Sequence, residues 1–82
     1  MPSSPAGNWT QWTDDLRMLL ELKGLGPGDT FSIDDAYECE GALARMHPDN
    51  EHIRDKIRQQ LQIMRDHDFL EFINDAGVYR LT

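Results

Sequence analysis

Cysteine is nearly absent. Cys39 stands alone, so no intrachain disulfide can form, and the chain fits a reducing, intracellular compartment. Long apolar runs are missing too: none approaches the roughly 20 residues of a membrane-spanning helix. The opening Met1-Pro-Ser-Ser-Pro-Ala-Gly7 has neither a basic region nor an apolar stretch, which excludes a secretory signal there. Positive charge is scarce. Eight Lys and Arg face fifteen Asp and Glu, for a formal net charge of −7. That balance opposes binding to a polyanion, because affinity for a duplex comes largely from neutralising phosphates. Catalytic signatures are lacking as well. There is no Gly-rich phosphate loop, no nucleophile with a matched base and no nuclease-type motif. The chain reads as non-catalytic and without a cofactor.

What remains is the composition of one small soluble domain: 82 residues, 39% hydrophobic and 28% charged. A core that thin must be shared by three or more elements. Residues 1–11 read as a flexible leader or linker remnant, and residues 12–82 as the folded domain. The acid is unevenly placed. Residues 1–49 hold nine acidic and three basic side chains, a net of −6; residues 50–82 hold six and five, a net of −1.

Periodicity and capping chemistry predict three helices. The first runs from about Asp14 to Lys23, capped by Thr13, with Asp14 and Asp15 in its first turn and Trp12, Leu16, Leu19 and Leu20 inward. The density of Gly and Pro over residues 24–28 ends it, and Phe31 fits a short strand. Ser32 and Asp35 form a capping box that opens the second helix, with Ile33, Ala36, Tyr37, Leu43 and Met46 on its buried side. Pro48 breaks it. The third helix spans about Glu51 to Asp66, with Ile53, Ile57, Leu61 and Met64 as its inner stripe. Asp68, just beyond, is expected in the left-handed conformation. Residues 69–73 and 78–81 read as two strands joined by a turn in which Gly77 supplies positive φ.

The third helix carries the candidate site. Its outer surfaces offer Arg, Lys, Asn, Gln, His and Asp, the residue types that bond phosphates and base edges. In a helix-turn-helix, the amino-terminal part of the second helix reaches base edges while its flanks touch backbone. That puts Asn50, His52, Arg54, Asp55, Arg58 and Gln59 in base-reading positions and Lys56 on phosphate. The same residue types also make an ordinary solvated face, in which Arg54, Asp55 and Arg58 form ion pairs along the helix.

The run from His52 to Gln62, then Arg65 and Asp66, Phe69 to Phe72, and Gly77 to Arg80, resembles the winged-helix domain of DpnI and the Dam-replacing restriction endonucleases. Phe31 to Tyr37 and His47-Pro48 fit the same pattern, and the likeness covers residues 12–81. It implies an α+β winged helix-turn-helix of three helices with a small antiparallel β-hairpin wing. It further implies double-stranded DNA as partner, read through N6-methyladenine in a GATC-like site. Such a domain serves as the specificity module of a restriction endonuclease, with a nuclease domain on the parent chain. The setting implied is the cytoplasm of a prokaryote or a viral context, with no membrane involved.

Other features are read more plainly. The wing turn over residues 74–77 has no Lys or Arg, so it either contacts DNA little or does so through backbone and Asn74. The amino end of the second helix is a phosphate candidate through Ser32, opposed by Asp34 and Asp35. His47, His52, His67 and Cys39 match no zinc spacing; His67 is expected to serve the last helical carbonyls. Trp12 is expected to cap the core, and Trp9, less obviously core, to pack on a neighbouring domain or on DNA. Two alternatives stay open: an acidic winged-helix module that binds protein, and a methylation-independent transcriptional regulator.

Overall fold

In the computed structural model, which describes residues 9–74 and 77–82, the first helix, α1, is Gln11–Leu22. It starts earlier than the spacing predicts. Thr10 is extended at φ −126° and ψ 179° and acts as the N-cap in place of Thr13. Thr13 instead lies in the first turn, where its Oγ1 accepts from the Thr10 amide at 3.1 Å. It is fully buried. At the other end Gly24, with φ +92°, closes the helix: its amide bonds Glu21 O at 2.9 Å and the Leu25 amide bonds Leu20 O at 3.3 Å. This is the double bond of a left-handed helix terminus.

β1 is Thr30–Ser32, followed by α2, Ile33–Tyr37, and α3, Glu40–Met46. The predicted capping box is present: Ser32 N donates to Asp35 Oδ2 at 2.9 Å, and Asp35 N to Ser32 Oγ at 3.2 Å. The single second helix expected from the sequence is broken at Glu38 and Cys39. Both keep right-handed backbone angles, with ψ −18° and −4°, and Cys39 N bonds Ala36 O at 3.0 Å. That tighter turn re-phases the inward face. Ala36, Cys39 and Leu43 are buried, whereas Met46 is left 42% exposed.

α4, Ile53–Asp66, begins two residues later than expected. Ile53, Ile57, Leu61 and Met64 are buried as predicted, joined by Ile63 and the polar Gln60. Asp68 takes φ +60°. Its amide bonds Arg65 O at 3.0 Å, and Phe69 N bonds Met64 O at 2.8 Å, the same terminus that Gly24 gives α1.

β2, Leu70–Asn74, and β3, Val78–Leu81, complete an antiparallel sheet of order β1-β3-β2. Phe31 pairs with Tyr79, and Tyr79 with Phe72; the register shifts between Phe72 and Asn74. The predicted wing turn falls largely outside the described residues, but Gly77 has φ +77° as expected. Leu16, Leu20, Phe31, Leu43, Ile57, Leu61, Met64, Leu70 and Leu81 meet in one core beneath α4. Inside it, Thr13 Oγ1 donates to Gln60 Oε1 at 2.6 Å. Both partners are buried, so this bond fixes the register of α1 against α4.

Candidate nucleic-acid interface

α3 and α4 are joined by the turn at residues 47–52, and α1 holds that turn in place. His47 Nε2 lies 2.8 Å from Asp15 Oδ2. Its ring stacks on Trp12, with centroids 4.3 Å apart and 16° between planes. Trp12 and Asp15 are three residues apart on α1, hence on one face. Trp12 thus covers the helix-turn-helix turn as well as the core edge. Within the turn, Asn50 Oδ1 accepts from the His52 amide at 3.0 Å, an Asx turn that leads into the helix. Asn50 and His52 therefore lie before α4 rather than on it. With its acceptor engaged, Asn50 offers a ligand its Nδ2 donors.

Along α4, Arg54, Asp55, Arg58 and Gln59 are exposed and Lys56 is half-buried. Arg54 is held from outside the helix. Its Nε donates to Glu40 Oε1 at 3.2 Å, and its guanidinium lies 4.8 Å from the Tyr37 ring centroid. The Arg54, Asp55 and Arg58 pairs along the helix do not form; the partner of Arg54 comes from α3. An exposed pair of this kind contributes about 0–1 kcal/mol, so it orients Arg54 more than it stabilises the fold. Asp55, Lys56 and Arg58 make no ion pair with any described residue.

The outer face of α4 and the strands β2 and β3 form the two walls of an open groove of about 480 Å³. Asp55, Arg58, Gln59, Gln62 and Arg65 line one wall, Phe72 and Tyr79 the other. Phe31, Tyr79 and Phe72 form an aromatic row across the sheet, with centroids 5.4 and 5.5 Å apart. The row runs from the buried Phe31 to Phe72, which is 44% exposed. Burial pushes the Tyr79 phenol up, while Arg58 and Arg65 pull it down, so the hydroxyl remains a hydrogen-bond donor at neutral pH.

The groove brings in Gln62, Phe72 and Tyr79, which sequence reasoning passed over. Gln62 lies four residues beyond Arg58, a signal the helical period carries. Phe72 and Tyr79 sit on the same sheet face as Leu70 and Leu81 by alternation, which points to core; nothing in the strands alone shows that they emerge beside α4.

Several other candidates find internal roles. Trp9 packs its ring edge-on against His67 and Phe69, at 5.6 and 5.5 Å, and donates to Asp14 Oδ1 at 2.7 Å. His67 is thus an aromatic contact at the end of α4. No group of three or more His, Cys, Asp or Glu comes together for a metal among the described residues. No described helix is long and apolar enough to cross a membrane. A family model described as Dam-replacing HTH domain matches residues 14–81.

Proposed function

The chain belongs to the Dam-replacing HTH domain family, a helix-turn-helix DNA-binding class, and from that membership we propose that it reads adenine-methylated duplex DNA with α4. The observation that carries this reading is the outer face of α4, where Arg58, Gln59 and Asp55 are exposed and Arg58 and Asp55 make no ion pair with a described residue. Arg bonds a guanine edge in two places, Gln an adenine edge, and Asp accepts from a cytosine amine. Arg54, steadied by Glu40 and Tyr37, and His52, at the helix entry, flank these groups. Lys56 and the Nδ2 of Asn50 serve phosphate. The target is N6-methyladenine in a GATC-like site. The domain supplies specificity and no catalysis, as the recognition module of a methyl-dependent restriction endonuclease whose nuclease domain lies on the same parent chain, acting on DNA in the cytoplasm.

The test is an anisotropy titration of GATC duplexes, fully methylated and unmethylated, at low salt. Burying one methyl group contributes on the order of 1 kcal/mol. The methylated duplex is therefore expected to bind several-fold tighter per methyl. Equal affinity for both removes methyl reading; no binding to either removes the DNA reading.

One observation favours a second reading. The net −6 of residues 1–49 and Leu22, 75% exposed on α1, suit a protein partner. Salt separates the two: phosphate contacts make log K fall linearly with log salt, by about 0.9 per phosphate neutralised.

A further inference from the structure

On α1, Asp14, Met18 and Leu22 follow one another at intervals of four, so they form one line along its outer face, about 12 Å long. Met18 is 41% exposed, and Leu22 is the most exposed large apolar side chain among the described residues. Beside this line, past Glu21, opens a cavity of about 370 Å³, which Leu25, Pro27, Phe69 and Leu81 line together with Arg17 and Glu21. We propose that this face docks a basic amphipathic segment of a partner protein. Its apolar side chains cover Met18 and Leu22 and enter the cavity, and its Lys or Arg side chains meet the flanking carboxylates. The proposal goes beyond the DNA reading and does not compete with it. α1 turns Thr13, Leu16 and Leu20 toward the inner face of α4, so its outer line points away from the outer face of α4.

Charge decides the occupant. The nearby cations are engaged internally. Arg17 pairs with Glu21 at 3.4 Å and lies 4.7 Å from the Phe69 ring centroid, and Lys23 pairs with Glu38. Asp14 and Asp29 make no ion pair with a described residue. Asp14 accepts from the Trp9 indole at 2.7 Å and Asp29 from the Gly26 amide at 2.8 Å, both uncharged donors. Gly26 lines the cavity, so Asp29 stands at its edge. The apolar line therefore runs from one carboxylate without a cation toward another. A second copy of the chain, at a net charge of −7, would set these carboxylates against their own kind. An anionic lipid surface would repel them as well. Residues 1–8 of the chain contain no Lys or Arg and cannot supply side-chain cations. A cationic segment with apolar anchors at helical spacing meets both features, in the manner of an amphipathic helix entering an apolar groove.

The experiment titrates the isotopically labelled chain with a synthetic peptide of about 16 residues, roughly four helical turns, with Leu along one helical face and Lys elsewhere. Two controls accompany it: a scrambled peptide of the same composition, and the same peptide with Glu for Lys. The Leu–Lys peptide should shift the amides of Met18, Leu22 and Leu25 and leave those of Arg58 and Gln59 in place. The scrambled peptide should bind more weakly, and the Glu peptide not at all. Leu22→Ser should weaken binding on the order of tenfold, the scale of losing one apolar contact. Asp14→Asn keeps the acceptor for Trp9 and should weaken binding about two- to threefold at low salt and not at high salt. Both side chains are exposed, and circular dichroism checks that each variant keeps its fold. Equal binding of the scrambled peptide, or an unaltered affinity for Leu22→Ser, overturns the proposal, since either reduces the contact to diffuse attraction of opposite charges. So does sedimentation showing a dimer that Leu22→Ser dissolves, which would give the face to a second copy. Binding to anionic vesicles that Leu22→Ser abolishes would give it to lipid and overturn the proposal too. No step involves DNA, so a chain that binds no duplex leaves this proposal to be decided by the peptide alone.

Discussion

At Asp68 the backbone turns left-handed, with φ +60°, and it is the only non-glycine described residue to do so. The equivalent place after α1 is held by Gly24 with the same pair of terminal hydrogen bonds. An L-residue pays about 1–2 kcal/mol there, less for Asp than for most. The Asp68 carboxylate also sits at the negative end of the α4 dipole. Both effects act in one direction. Asp68→Gly should therefore raise stability by about 0.5–1 kcal/mol, read as a higher urea midpoint, with DNA affinity unchanged because residue 68 lies outside the groove. A lower midpoint would mean that the side chain supports the wing in some other way. The expected left-handed conformation was legible in the sequence because it follows from a helix end and its neighbours alone.

The relation between α1 and α4 depends on one buried bond, Thr13 to Gln60. Apolar packing around Leu16, Leu20, Ile57 and Leu61 holds the helices together but tolerates sliding. A buried donor matched to a buried acceptor does not, because leaving either unsatisfied costs about 1–3 kcal/mol. Thr13→Val keeps the shape and removes the donor. It should destabilise the domain by that amount in a denaturant titration. Adding Gln60→Leu should recover part of the loss, since the stranded acceptor is then gone. Simple additivity of the two changes would show that the pair is not coupled. The sequence reading placed Thr13 as a cap, reasonable for a Thr ahead of two Asp. Thr10 competes for that role one turn earlier, and the extra turn is what carries Thr13 to Gln60.

For the molecule as a whole, three groups link stability to alkaline pH: Cys39, Tyr79 and the exposed Lys23, whose ammonium the hydrogen-bonded Glu38 carboxylate pushes up. Burial pushes the Cys39 thiol up from 9.0 and the Tyr79 phenol up from 10.0. A group whose folded value is raised contributes stability that is fully present below its unfolded value and lost as pH rises through the folded one. Urea midpoints should hold level up to about pH 8 and then fall, and Cys39→Ala should flatten the first part of the decline. A profile with the same slope in both proteins would assign the decline to other groups. The charge asymmetry acts at this scale too. With −6 on residues 1–49 and −1 on residues 50–82, the stretch that carries α4 contributes least to long-range repulsion from DNA, and non-specific binding should stay weak.

Short-range chemistry accounts for what could be read from the chain alone. The amphipathic stripe of α4, the Ser32 capping box, the Gly-rich end of α1 and the left-handed Asp68 each depend on residues a few positions apart. Folding settled the rest. It engaged the Asn50 acceptor in a turn, tied Arg54 to Glu40 and Tyr37, set His47 between Asp15 and Trp12, and brought Phe72 and Tyr79 out beside Arg58 and Arg65. These contacts join residues that local patterns treat as independent. Thr13 and Gln60 are 47 positions apart, and their meeting follows from how two helices pack, a relation that no stretch of sequence contains.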